Sequence, residues 1–458
     1  MTDFQKHFTE YIGVHQNGHL WVEGLDCVEL AERFGTPLYV VSESQLRHNY
    51  RRFREAFASR YPNVQVLFAN KALNNLAVRH IMNDEGAGGD CFGVAELYLS
   101  LLSGVDPAKL VLNGSNKTQQ EIDMAVEAGV CINIDAMDEL EMIEDAARRF
   151  GEPVDVGIRV SLLLSALEHR HSGSDLHGAG SLADQGRDNK WGMTLEQTID
   201  LAKRVKELDG FTLKEIHYHL GRVSHEVEDF AHMSREMVQW AAKIRDATGS
   251  APNYLDLGGG WTVGRPEGLG PHGEDDETTP AFDDYAEATT DAIRDECERH
   301  GLDLPGLKLE PGRAIAASAV ITLGRVGAVK VHPDFKTWVN VDCSTNHVIR
   351  IFTSDWYHHI HSVNKASQEA NVTVDVVGSL CSLDLLGADR FLPEPRRGDL
   401  VALMDTGAYA ETAASNFNAE PRPATVLVNG EQADVISERE TLRDVIGRYK
   451  VPARFFAR

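Results

Sequence analysis

Lys71 closes the apolar run VLFANK. An amine at the end of such a run is partly desolvated and available for bonding to a carbonyl, although a lysine there can equally snorkel to a rim. Three glycines, Gly258, Gly259 and Gly260, follow LDL. Without Cβ atoms their N–H groups can form a nest for an anion, or simply a tight turn. Glu310-Pro311-Gly312-Arg313 places a carboxylate and a planar guanidinium fork on either side of a sharp turn. The fork suits phosphate or carboxylate, and the alternative is a Glu–Arg pair that holds the turn. His219, in HYHLG, offers a flat ring that can lie on a planar ligand or pack in a core. An amine, an anion nest, a carboxylate, a guanidinium and a flat ring describe a pocket for a phosphorylated aromatic aldehyde.

Such groups must be brought together by an element pattern, and one is visible. Short apolar runs at 64–70, 88–93, 110–116, 131–136, 153–160, 213–220, 254–260 and 307–313 read as strands. Segments of helical period separate them, at 94–102, 118–128, 138–149, 195–207, 227–247 and 281–300. Eight strands with helical crossovers predict a parallel (β/α)₈ TIM barrel, with an open doubly wound sheet as the competing arrangement. In a barrel the functional side chains stand at the C-terminal ends of strands. Here these are Lys71, Asp90, Asn113, Asp135, Arg159, His219, the glycine triplet, and Glu310 with Arg313. Two long turn-rich segments, 162–189 and 262–279, are expected as loops on that face.

The flanks differ. Residues 1–42 and those from 316 onward carry β-like runs with few helical spacers, predicting an antiparallel β domain of 1–42 and 316–458 beside a barrel of 43–315. With 458 residues, 42% of them apolar, a large core needs no staples. Seventy acidic against 45 basic residues leave a net charge of −25, which disfavours nucleic acid and anionic membranes as partners. The six cysteines contain no C-x-x-C pair, so neither a zinc ribbon nor a disulfide framework is indicated, and no metal site is expected. The polar opening MTDFQKHFTEYIG has no apolar signal core, and a cytoplasmic setting is expected.

In order along the chain, FANK, HLG (219–221), GGG (258–260), EPGR (310–313), Cys381 and DTGAY (405–409) resemble the motifs of the fold type III (alanine racemase-like) pyridoxal phosphate-dependent amino acid decarboxylases, the diaminopimelate and D-ornithine/D-lysine decarboxylase group. The opening GHLWVEGLDCVELAERFGTPLYVVSE is similar to theirs as well. The resemblance implies that Lys71 forms a Schiff base with pyridoxal 5′-phosphate and that Asp90 lies near it. It implies that His219 stacks on the ring, that Glu310 pairs with the ring nitrogen, and that Gly258, Gly259, Gly260, Arg313 and Tyr409 bind the phosphate. Cys381 would return a proton to Cα, and the family works as a homodimer whose partner subunit donates the cysteine and tyrosine motifs. The implied activity is decarboxylation of a diamino or dicarboxylic amino acid, in a family that includes enzymes acting on D-configured centres. A racemase on the same scaffold and a non-catalytic homologue are the alternatives.

The pattern departs from the family in three places. The motif after the cysteine reads Cys381-Ser382-Leu383-Asp384, one residue short and without the acidic residue that binds a distal ammonium in the relatives. Ser382 and Asp384 are therefore the candidate substrate contacts there, with Asp384 a potential replacement. Arg350 matches an arginine that grips a distal carboxylate, but the tyrosine expected four residues later is Ser354. Arg222 stands in HLGR where a small residue or Asp is usual.

Overall fold

The computed structural model describes residues 8–162, 190–220, 226–262, 280–354 and 356–456. The expected loops at 162–189 and 262–279, apart from their first residues, and Arg222 lie outside the described residues. Two compact units are present, with boundaries at Gln45/Leu46 and Ala317/Ser318.

In the first unit eight parallel strands close into a barrel: Val64–Ala69, Gly88–Phe92, Leu110–Asn113, Cys131–Ile134, Val154–Arg159, Phe211–His217, Tyr254–Asp256 and Gly306–Leu309. Leu307 pairs with Val64 and Leu309 with Val66, sealing last strand to first. Each strand stops where its backbone must. Gly114 and Asn116 adopt positive φ (129° and 63°) and end the third strand at Asn113. Gly258 and Gly260 (62° and 102°) release the seventh strand after Asp256. Pro311 has no N–H to continue the eighth.

The helices follow their caps. Thr118 with Glu121, and Thr194 with Gln197, form capping boxes opening Gln119–Ala128 and Leu195–Glu207. Gly129 and Gly151 close their helices in the left-handed conformation, as the turn out of the helix requires. Directly behind the glycine triplet, Trp261 is fully buried. Its indole stacks on Phe230 at 4.0 Å and meets Phe53, Phe57 and Tyr285 edge-on. Aromatic pairs of this kind each add about 0.5–1.5 kcal/mol beyond the area they bury.

The second unit is a nine-stranded sheet. The long strand Val320–His332 pairs antiparallel with Lys336–Val341, Leu400–Leu403 and Leu38–Ser42. Leu38–Ser42 also pairs with Ala424–Asn429, and there the strands run parallel, as they do between Lys336–Val341 and Val372–Val377. The sheet is therefore mixed rather than purely antiparallel. Every residue of LYVVS is buried, as a strand covered on both faces requires. The earlier strands, Ile12–Val14, Leu20–Val22 and Leu25–Asp26, form a separate three-stranded sheet. Its Ile12, Leu20 and Val22 share a core with Leu38, Ile321, Ala402 and Val426. No helix among the described residues is long and apolar enough to cross a membrane.

Candidate active site

Lys71 sits in the single turn Asn70–Ala72 that leaves the first barrel strand. The turn lies against Gly312, where a Cβ would come within 2.8 Å of Ala72 Cβ; the glycine of Glu-Pro-Gly-Arg thus allows the first and last strand ends to touch. The Lys71 amine pairs with Asp90 Oδ2 and also faces the ring of Phe92, 5.5 Å from its centroid. Asp90 is 1% exposed and Glu310 2%. One side chain joins these two carboxylates. The Asn113 amide donates to Asp90 Oδ1 (2.8 Å) and to Glu310 Oε1 (2.7 Å), and its own oxygen accepts from Asn133 (3.0 Å).

Burial alone would push Glu310 toward neutrality, but its surroundings act the other way. His217, whose Nε2 lies 3.4 Å from Oε2, holds its carboxyl well below the usual range, and the Lys71 charge adds to this. Burial pushes His219 well below the ordinary imidazole range, Lys71 contributing again. Its Nδ1 accepts the Gly259 N–H at 2.8 Å, so the neutral ring has a defined tautomer and orientation. The glycine loop is moulded on that histidine. A Cβ on Gly258 would meet Tyr218 O at 2.6 Å, and one on Gly259 would meet Glu310 O at 2.9 Å. Arg313 is buried at the start of the short helix Arg313–Ala316. Around the mouth, Lys117 donates to Gly114 O, Asn133 O and Glu139 Oε2 at 2.6–2.9 Å. Arg159 lies 3.8 Å from Asp135 and over Trp191, its buried Nη1 without a hydrogen-bond partner.

In the β unit, the Arg350 guanidinium lies 4.8 Å from the centroid of Tyr409 and 5.5 Å from that of Trp356, and Nη1 donates to Ser354 Oγ at 3.1 Å. The residue replacing the expected tyrosine thus still orients the arginine. Tyr409 adopts a left-handed φ of 61°. Cys381 is the exposed cysteine, its thiol directed at Asn418 Oδ1 (3.4 Å), and Ser382 beside it is exposed. Asp384 behaves differently. It is buried; Oδ1 accepts from Thr345 N and Oγ1 and Oδ2 from Leu380 N, at 2.7–2.9 Å, so its carboxylate is engaged in holding the loop.

The signature of the pyridoxal-dependent decarboxylase pyridoxal-binding domain matches residues 43–317. The chain belongs to that family. It is a pyridoxal phosphate-dependent amino acid decarboxylase, similar over nearly its whole length to proteins of known activity. Diaminopimelate decarboxylase of Methanothermobacter thermautotrophicus is 34% identical, covering 98% of this chain and 99% of that protein. The crystal structure of the Methanocaldococcus jannaschii diaminopimelate decarboxylase covers 97% of this chain and 99% of its own, at 31% identity and a TM-score of 0.86. That of the Helicobacter pylori enzyme complexed with L-lysine covers 92% and 98%, at 26% and 0.78. The decarboxylase's own residues fit the cofactor. The glycine loop is a cradle that Cβ atoms would fill, and the Arg159 Nη1 and the His217 Nδ1 are buried with no hydrogen-bond partner.

Asn113 is among the strand-end side chains that the sequence offers, without a role assigned to it, whereas His217 and Asp256 are not. The signals were present: Asn113 ends LVLN, and His217 stands two residues before His219, on the strand itself.

Proposed function

We propose that this decarboxylase removes the α-carboxylate of an amino acid carrying a second, distal carboxylate, of the diaminopimelate type. The observation that carries the reading is the Lys71 amine seated on Asp90, with Asp90 and Glu310 bound by one Asn113 amide. Bound pyridoxal phosphate supplies the electron sink for the pair released as CO₂ departs. Lys71 is the amine for its aldehyde. Glu310, an anion in a dry setting, holds a proton on the ring nitrogen. The neutral His219 ring supports the cofactor face without adding a second positive charge beside that proton. Gly258, Gly259, Gly260 and Arg313 take the phosphate, with Tyr409 of the partner subunit completing it in a homodimer.

Cys381 of the partner subunit is the proton donor to Cα. Its exposed, hydrogen-bonded thiol supports that role over packing as a small apolar group. Arg350, its fork oriented by Ser354 and packed beside the rings of Tyr409 and Trp356, receives the distal carboxylate. Ser382, beside Cys381, brings no charge, and Asp384 is committed to its loop, so recognition rests on the distal carboxylate more than on a distal ammonium. The relatives' activity, and a setting in the cytoplasm, accord with this reading.

The test is CO₂ release from meso-diaminopimelate, D- and L-ornithine, D- and L-lysine and simple monoacids. Preference for the substrate with a distal carboxylate is expected, lost in Arg350→Ala. Equal rates on lysine and diaminopimelate would overturn the assignment to Arg350, and inversion without CO₂ would move the chain to the racemases.

A further inference from the structure

We propose that Asp256 is a permanently protonated acid, a positioning residue whose neutrality keeps an uncompensated negative charge away from Glu310. The inference rests on the reading that Glu310 faces the ring nitrogen. Asp256 ends the seventh barrel strand, in register with His217 on one side and Lys308 on the other. It is completely buried. One polar atom each of His217, Asp256 and Glu310 lie within 4.8 Å of one another.

The charges in this part of the bore do not balance if every carboxyl is ionised. Glu215, Asp256 and Glu310 are three carboxyls; Lys308 and His217 are two basic groups. Lys308 is engaged with Glu215, and His217 lies against Glu310. Asp256 is left to share cations already engaged with other carboxyls, Lys308 and His217. Its Oδ1 accepts the Gly258 N–H at 3.0 Å, and its Oδ2 has no hydrogen-bond partner. An ionised carboxylate with a bare, buried oxygen beside two other anions is costly, whereas the neutral acid still accepts from Gly258 through its carbonyl oxygen. Burial first, then Glu310 and Glu215, push Asp256 far above the usual carboxyl range, in agreement with the geometry.

The consequence reaches the cofactor. Were Asp256 charged, repulsion would drive Glu310 toward its neutral form, and Glu310 would no longer hold a proton on the ring nitrogen. Asp256 also ties this pair to the phosphate loop through Gly258.

Infrared spectroscopy of the full chain, labelled with ¹³C at the aspartate side-chain carboxyl, tests the proposal. A protonated-acid C=O stretch that carries the ¹³C shift, persists at pH 8, and disappears in Asp256→Asn is expected. Asp256→Asn, also neutral, should bind pyridoxal phosphate within about threefold of the native chain, and Asp256→Leu, which cannot accept from Gly258, more weakly than that. Absence of an aspartate band at pH 8, or a band that Asp256→Asn leaves in place, overturns the proposal. If Asp256→Asn does not fold, the native chain decides alone, by the presence or absence of the band at pH 8. A native chain that fails to bind pyridoxal phosphate would instead sink the functional reading. Absence of the band with cofactor bound sinks only this inference.

Discussion

Replacing Asn113 with alanine removes one amide that serves two buried carboxylates. Hydrogen bonds to charged groups are worth about 1.5–3 kcal/mol each, so the two donated bonds, at 2.8 and 2.7 Å, amount to roughly 3–6 kcal/mol gross. A water entering the gap would restore part of this, leaving about 2–4 kcal/mol of lost stability at pH 7. The pH dependence follows from Glu310. Its folded-state pKa is depressed, so it contributes stability that is fully present above the unfolded carboxyl pKa of about 4.3 and is lost as pH falls toward the folded value. Asn113→Ala withdraws a donor from the ionised form and raises that folded value, so its deficit stays constant down to the variant's own folded-state pKa and shrinks only below it. Asn113→Asp, which sets a third carboxylate against the other two, should be worse than alanine at pH 7. Urea unfolding of the cofactor-free protein at pH 7 and pH 3.5, with unchanged m, measures both quantities. A native-like midpoint for Asn113→Ala at pH 7, or a deficit larger at pH 3.5 than at pH 7, would refute the reasoning.

Lys71→Ala should abolish the visible absorbance that the cofactor gains on bonding the chain, and borohydride should no longer fix label to the protein; retained label would place the amine elsewhere. Cys381→Ala should slow turnover far more than it weakens cofactor binding. Mixed with Lys71→Ala, it should recover about a quarter of native activity if each site draws on both subunits, because half the dimers are mixed and each has one intact site. No recovery on mixing would argue against shared sites. Burial pushes Glu96 up to about 7, with Asp90 adding to this and the Phe92 N–H opposing it. This raised carboxyl costs stability as pH rises from about 4.5 through 7, so Glu96→Gln, which keeps an acceptor for Phe92, should raise the Tm at pH 8 and leave it unchanged at pH 4.

The barrel was legible because its strands and helices differ in apolar period, and all eight strands begin within two residues of their expected starts. Their ends were overextended wherever chemistry begins. At Asn113, Asp256 and Leu309 the runs continue in sequence, but positive-φ glycines or a proline turn the backbone away. Lys71, His219 and Glu310 could be named from residue type at a strand end. Asn113 and Asp256 could not be ranked, because the importance of Asn113 lies in partners 20 to 197 residues away along the chain and that of Asp256 in its closeness to His217 and Glu310 on other strands. The mixed sheet was hidden for the same reason. Nothing local in LYVVS tells that it lies parallel to a strand nearly 400 residues later. Asp384 shows the converse, a residue suited by type to hold a ligand that is spent on Thr345 and Leu380.

The wedge of Trp261 among Phe53, Phe57, Phe230 and Tyr285 has a thermodynamic corollary. Because the indole also donates to Gly258 O at 3.0 Å, while Asp256 Oδ1 accepts the Gly258 N–H and His219 Nδ1 the Gly259 N–H, the first two of the three glycines preceding it are held in place despite their intrinsically loose backbone. An anion arriving there meets a loop already in position and loses little affinity to ordering it. Loosening the clamp, as in Trp261→Leu, would therefore show itself first as slower and weaker cofactor capture, in a protein whose strands remain in place.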